Sequence, residues 1–153
     1  MNQFKDNIVW ITGASSGIGA SLARAFSLEG ATVILSARNK EELEKVAKSC
    51  VGKTLVLPLD LLTIDTFDNA VKTVVDTFGR IDVLVNNGGI SQRGTAVETN
   101  LDVDRKIMEV NYFGNIALSK KVAPIMQQQQ SGRIVVISSL SGKFGFHLRS
   151  AYS

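Results

Sequence analysis

The sequence predicts an α/β protein built on a doubly wound parallel sheet, and three observations carry that prediction. Five short runs are almost wholly apolar and rich in β-branched residues, the pattern of strands covered on both faces. Amphipathic stretches of about 10–25 residues separate them, long enough to cross over between parallel neighbours. Glycine-, serine- and asparagine-rich turns mark the joins. Right-handed crossovers then place helices on both faces of one sheet.

The elements follow in order. Ile8 to Ile11 is the first strand, bounded by Asp6-Asn7 and Thr12-Gly13. Ser16 to Leu28 carries Ile18, Leu22, Ala25, Phe26 and Leu28 near helical spacing, and Glu29-Gly30 stops it. Thr32 to Leu35 is the second strand. Asn39, with Glu42 three residues on, resembles a capping box and opens a helix to about Lys48. Thr54 to Leu59 is the third strand, with Pro58 near its end where a missing N–H matters least. A helix from Thr66 to Phe78 presents Phe67, Val71, Val74, Val75 and Phe78 on one face and stops at Gly79-Arg80. Ile81 to Val85 is the fourth strand. One long helix is expected from Asp102 to Gln128, its stripe of Val103, Ile107, Val110, Ile116, Ala117 and Val122 facing the sheet. Ile134 to Ile137 is the fifth strand, and Ser138 to Ser153 reads as loop.

Composition narrows the function. At 153 residues the chain makes one domain, and 44% hydrophobic against 20% charged residues excludes wholesale disorder. Lys plus Arg is 17, Asp plus Glu is 14, and the net charge of +3 is scattered, so no nucleic-acid surface is expected. Cys50 stands alone, which excludes an internal disulfide and fits a reducing compartment; one His and one Cys cannot build a His/Cys metal cluster, so no metal is expected. No apolar run reaches membrane-span length and Met1 to Asp6 has no signal-peptide core, so the expectation is a soluble cytoplasmic domain. Trp10 is expected in the core. His147 reads as a solvated or substrate-lip residue, and Cys50 as a bystander.

The loop between the first strand and first helix reads Thr12-Gly13-Ala14-Ser15-Ser16-Gly17-Ile18-Gly19. Its spacing is G-x-x-x-G-x-G. Glycine permits a tight turn and close backbone approach to a pyrophosphate, and a helix N-terminus offers free N–H groups and positive dipole to phosphates. Ser15 and Ser16 add hydroxyl donors.

These residues, with five further motifs in register, resemble the short-chain dehydrogenase/reductase family. Thr12 to Gly19 is similar to its cofactor loop. Asn86-Asn87-Gly88-Gly89 resembles its Asn-Asn-Ala-Gly motif, with Gly88 in place of Ala. Asp60-Leu61 resembles its adenine-contacting Asp after strand three, and Asn111 in Val110-Asn111-Tyr112-Phe113-Gly114 its helix asparagine. Ser138-Ser139, and Tyr152 thirteen positions past Ser139, match its Ser and Tyr. Ile90-Ser91-Gln92-Arg93 resembles a carbonyl- and steroid-reductase branch. The resemblance spans the chain and implies a Rossmann domain over residues 1–153 in which the first five strands are present and the last strands are missing.

The resemblance also assigns expectations to the site. Gly13, Ser15, Ser16, Gly17, Ile18, Gly19, Asp60, Leu61, Asn87, Gly88 and Gly89 would hold a nicotinamide cofactor. An NAD-preferring fold places a carboxylate about 20 residues past the glycine loop. Here Ala37 and Arg38 stand there. A guanidinium can hold a 2′-phosphate that a carboxylate would repel, and Ser36 could add a hydroxyl, so NADP(H) is expected over NAD(H). Tyr152 would be the general acid, Ser139 the donor to the substrate oxygen, and Asn111 the holder of a relay water. A free phenol ionises near pH ~10, so such a Tyr wants a cation beside it. The family supplies a Lys four positions on, which would fall past Ser153; without it the 153-residue chain is expected to be inactive. Its fifth strand would leave an apolar edge prone to self-association.

The expected function is NADP(H)-dependent interconversion of a small-molecule carbonyl and a secondary alcohol, in a homo-oligomer. The rival readings are a catalytically incomplete nucleotide-binding module, acting as sensor or partner subunit, and an S-adenosylmethionine methyltransferase. The methyltransferase would leave Asn86-Asn87-Gly88, Ser139 and Tyr152 together unexplained.

Overall fold

A computed structural model describes residues 3–153. Five parallel strands form one sheet in the order β3-β2-β1-β4-β5: β1 Ile8–Thr12, β2 Thr32–Ser36, β3 Thr54–Val56, β4 Val83–Asn86 and β5 Arg133–Val136. Five α-helices connect and cover them: α1 Gly17–Leu28, α2 Lys40–Lys48, α3 Phe67–Phe78, α4 Leu101–Met108 and α5 Asn115–Gln128. No described helix is long and apolar enough to cross a membrane.

The strand alternation feeds two cores. Ile8 and Trp10 of β1, Ile34 of β2 and Leu84 of β4 face one side, where they pack with Phe67, Val71 and Val74 of α3 and Leu118, Val122 and Met126 of α5. Val9, Ile11, Val33, Leu35, Val83 and Val85 face the other, against Ala20 and Ala23 of α1 and Leu43 and Val46 of α2. Successive strand residues serve opposite layers, which is why the runs are continuously apolar. Trp10 is fully buried, as expected, with its indole N–H on Ser36 Oγ at 2.8 Å. At the foot of β1, the buried Asp82 carboxylate accepts from the Ile8 N–H at 2.8 Å and is gripped by Arg80, whose guanidinium proton is held more tightly by that hydrogen bond and charge.

Sequence order reverses between β1 and β4: the chain builds outward from β1 to β3, then returns to β1's other side. The adjacent loops diverge there, and the C-terminal ends of the strands open a crevice, the usual ligand position in such sheets.

Most element boundaries differ from the sequence reading by a residue, β5 is shifted back by one, a 3-10 turn at Leu140–Gly142 interrupts the expected loop, and three further differences have a physical cause. β3 ends at Val56, although the Leu57 and Leu59 N–H groups still bond Leu35 O and Ala37 O, at 2.9 and 3.1 Å, on either side of Pro58. β4 begins at Val83, because the Ile81 N–H is taken by Gln129 Oε1. The expected single helix from Asp102 to Gln128 is divided: a π-helical segment, Glu109–Gly114, lies between α4 and α5. Gly114 presses on Leu61, where a Cβ would clash with the Leu61 carbonyl oxygen, and the Asn111 amide is engaged by Ile90. Those two contacts favour a widened turn that moves the helix face out of α-helical phase. The buried stripe therefore runs Ile107, Val110, Leu118, Val122, Met126, while Val103 is exposed and Ile116 and Ala117 are only partly covered.

β5 is an outer strand of the sheet, with Ile134, Val135 and Val136 all exposed.

Candidate active site

The crevice is assembled around Thr12, the last residue of β1. Its Oγ1 accepts from the Asn87 N–H at 3.0 Å and the Gly88 N–H at 2.9 Å, and lies 3.3 Å from Val85 O as donor. Asn87 Nδ2 returns to Thr12 O at 3.0 Å and Gly13 O at 3.2 Å. The glycine loop and the loop after β4 are thereby sewn together at the switch point. Gly13 has φ +64°, and a Cβ on it would stand 2.8 Å from Gly88 Cα, so a side chain is excluded by both conformation and space. Thr12 was not singled out by sequence reading; its placement between a β-strand and a glycine is the signal that marks it.

Helix α1 begins beneath this loop with a bare N-terminus. The Ser16 side chain makes no capping bond, and no acidic residue lies in the first turn. Its first N–H groups and dipole therefore remain open to an anion. That donor set, the positive φ at Gly13 and Gly17 (+51°) and the adjoining cleft fit a dinucleotide pyrophosphate.

A cleft of about 810 Å³ runs from this loop along the ends of β1 to β4. Gly13, Ser15, Ser16, Gly17, Ile18, Ser36, Arg38, Asp60, Leu61, Asn87, Gly88 and Gly89 all line it. Gly19 does not: it is buried behind the loop, where a Cβ would strike the Gly13 carbonyl oxygen and come within 2.6 Å of Asn87 Nδ2. Its part is packing, not ligand contact. Ser36 also departs from expectation. Its hydroxyl donates to Leu57 O at 2.7 Å and accepts from Trp10, so its proton is committed to the core and not free for a phosphate. Arg38 is exposed on the cleft wall just past β2. Lys106 of α4 lines the same cleft and was missed; it lies one helical turn before Val110, another lining residue. Asp60 faces the cleft while one carboxylate oxygen accepts from the Leu62 N–H at 3.0 Å.

A second cleft of about 500 Å³ shares Ile18, Asn87, Gly88, Gly89 and Ile90 with the first and adds Asn111, Asn115, Ser139 and Tyr152. Ser139 Oγ accepts from the Ser141 N–H at 3.2 Å, which leaves its hydroxyl proton available to a ligand oxygen. Tyr152 is half-buried, its backbone N–H on Arg149 O at 3.0 Å. The Asn111 side chain is held at both ends by one residue: Oδ1 accepts from the Ile90 N–H and Nδ2 donates to Ile90 O, both at 2.8 Å. It is a clamp on the loop after β4. Oδ1 and Nδ2 each keep one further bonding position for a water, and the main-chain carbonyl accepts from Asn115 Nδ2 at 3.0 Å. Behind it Asn86 Nδ2 donates to Ser119 Oγ, and Ser119 Oγ to Asn115 O, each at 2.8 Å. His147, within the Ser139–Tyr152 segment, is exposed and lines neither cleft.

Fold and crevice define a nucleotide-binding α/β domain of the Rossmann type. The family model described as short chain dehydrogenase matches residues 7–153. The chain belongs to the short-chain dehydrogenase/reductase family, oxidoreductases whose fold binds a nicotinamide cofactor. It is 49% identical over 154 residues to the Anopheles gambiae dehydrogenase/reductase SDR family protein 7-like, covering 95% of this chain and 49% of that protein. To the Homo sapiens dehydrogenase/reductase SDR family member 7 it is 45% identical, covering 98% of this chain and 46% of that protein. Among solved structures, a metagenomic short-chain oxidoreductase in complex with NADP superposes with a TM-score of 0.92 at 33% identity, over 97% of this chain and 69% of that one. A short-chain dehydrogenase from Streptomyces avermitilis gives 0.90 at 35%, over 97% and 54%. The chain spans about half the length of the curated relatives it matches.

Proposed function

We propose that the chain forms the cofactor-binding and proton-donating part of an NADP(H)-dependent oxidoreductase that interconverts a carbonyl and a secondary alcohol. The observation that carries the cofactor choice is Arg38, on the cleft wall where an NAD-preferring fold has a carboxylate; no acidic residue occurs from Ser36 to Asn39. Lys106 adds a second cation to the same cleft, and the similar metagenomic oxidoreductase in complex with NADP supports the same reading. The bound nicotinamide cofactor supplies or accepts the hydride. Gly13, Gly17 and the first turn of α1 would hold its pyrophosphate, and Arg38 its 2′-phosphate. Leu61, Gly88 and Gly89 would wall its rings, with Asp60 at the adenine side.

The protein's own part in the reaction is to orient the carbonyl and deliver a proton. Ser139 donates its free hydroxyl proton to the carbonyl oxygen, and Tyr152 protonates the oxygen as negative charge develops on it. Asn111 keeps the loop after β4 in place through Ile90. Exposed Met108, Tyr112 and Phe113 along α4 and the π segment form the face through which two copies of the chain would associate.

Titration of the chain with NADPH and NADH, followed by nicotinamide fluorescence, tests the cofactor assignment. Tighter binding of NADPH, lost in Arg38→Glu, is expected. Equal Kd values for the two nucleotides overturn it.

A further inference from the structure

Three segments meet beside Tyr152: Ser91 to Gly94, the turn at Thr95 to Thr99, and Leu148 to Ser150. The Arg149 guanidinium donates from Nη1 to Ser91 Oγ at 2.7 Å and to Gln92 O at 3.0 Å. The Gly94 N–H donates to Leu148 O at 3.1 Å, making a one-residue parallel bridge between Gly94 and Arg149. Gln92 Nε2 reaches Thr99 Oγ1 at 2.9 Å and Ser150 Oγ at 3.1 Å. The direction of those last bonds is fixed by their neighbours. Thr99 gives its hydroxyl proton to Thr95 O at 2.7 Å, and Ser150 gives its own to Thr99 Oγ1 at 3.2 Å or Gly94 O at 3.4 Å. Both hydroxyl oxygens are therefore acceptors, and Gln92 must present its amide N–H groups to them.

The clasp closes on the backbone that carries Tyr152. The Arg149 carbonyl accepts the Tyr152 N–H at 3.0 Å and the Ser153 N–H at 2.9 Å, so fixing Arg149 fixes the turn three residues later. No residue from Ser138 to Ser153 is fully buried, and Phe144 and Phe146 stand exposed. An exposed loop with few buried apolar contacts is held by its hydrogen bonds or not at all.

We propose that Gln92 and Arg149 are positioning residues: they dock the Tyr152 segment onto the loop after β4 and set the direction from which the phenol enters the second cleft. The consequence for reactivity rests on the reading of Tyr152 as proton donor; the docking itself does not.

The test uses the 153-residue chain labelled with 3-fluorotyrosine, which has two tyrosines, Tyr112 and Tyr152. Tyr112→Phe assigns the two 19F resonances. Amide hydrogen exchange of residues 146–153 is followed in parallel, and NADPH binding by fluorescence. Arg149→Ala and Gln92→Leu are each expected to speed exchange in 146–153 by about tenfold or more, with β1 and β4 unchanged, as local release of a segment requires. The Tyr152 resonance should move toward that of free fluorotyrosine while Tyr112 stays, and NADPH affinity should hold within about twofold, since the cofactor cleft is untouched. Arg149→Lys, which keeps a donating nitrogen and the charge but loses the planar fork, should restore part of both readouts. The proposal is overturned if both variants leave the Tyr152 resonance and exchange unchanged. It is also overturned if faster exchange spreads evenly over the sheet, because that marks general destabilisation. A chain that binds no NADPH yet shows the localised release refutes the proposed function and leaves the clasp standing.

Discussion

Replacing Thr12 by Val removes one oxygen and almost no volume. Thr12 is 2% exposed, and its Oγ1 is the partner of two backbone donors, the Asn87 and Gly88 N–H groups at 3.0 and 2.9 Å. Valine fills the same space, so no cavity term arises; the cost is two N–H groups stranded against a methyl. Each stranded buried donor costs about 1–3 kcal/mol. Both lie in a part-buried wall, where rotation toward water recovers some of this, so the sum is placed at about 2–4 kcal/mol. With a urea m-value of about 2 kcal/mol/M, the unfolding midpoint should fall by about 1–2 M. NADPH binding should weaken by about tenfold or more, since 1.4 kcal/mol of site disorder is a factor of ten. Thr12→Ser is the control: it keeps the acceptor and loses a methyl, at about 1 kcal/mol. The reasoning is refuted if Thr12→Val shifts the midpoint by less than about 0.3 M, or if Thr12→Ser is as costly. Either result would mean that the β1–β4 ladder alone holds the crevice.

Further perturbations follow from other contacts. Asp82→Ala leaves the Ile8 N–H without its 2.8 Å partner and should cost about 2–3 kcal/mol in chemical denaturation, mostly from the stranded donor and little from the half-exposed Arg80. Gly19→Ala forces a Cβ into Gly13 O and Asn87 Nδ2; circular dichroism should remain native while NADPH affinity drops at least tenfold, about 1.4 kcal/mol. At Cys50, burial pushes the thiol pKa up against the opposing Ser27 hydrogen bond and Arg24 charge. The fold favours the neutral thiol, so this contribution is complete below the ordinary thiol range and is lost as pH rises through the raised value. Iodoacetamide should therefore modify Cys50 more slowly at pH ~8 than a free cysteine, and faster as pH climbs. Val136→Lys, on the exposed outer strand, should reduce self-association in sedimentation without altering the melt.

The sheet was legible because its inner strands β1, β2 and β4 are buried on both faces, and all five apolar runs stand out against their polar flanks without knowledge of tertiary contacts. The Asn39 cap was legible for the same local reason: its side chain takes the Glu42 N–H at 3.2 Å, within one turn. What the sequence hid was decided over distance. The π segment depends on Asn111 meeting Ile90 and Gly114 meeting Leu61, pairs 21 and 53 residues apart. Ser36 had the right position for a ligand contact, and only the partners of its hydroxyl, Trp10 and Leu57, show it committed elsewhere. Lys106 and Arg149 carry no local signature, because their meaning comes from which wall they face.

The bonds from Asn87 and Gly88 to Thr12 join residues 75 and 76 positions apart, so the glycine loop cannot take its final shape from its own sequence. During synthesis, the first strand, turn and helix emerge long before the segment that locks them. Loop-closure entropy must be overcome before those bonds form, and such long-range pairings come late in folding. A nucleotide that grips the finished crevice thus binds the folded chain and scarcely any partly folded one, and it draws the population toward completion by mass action. The crevice doubles as a checkpoint: its occupancy reports that the fourth strand has found the first.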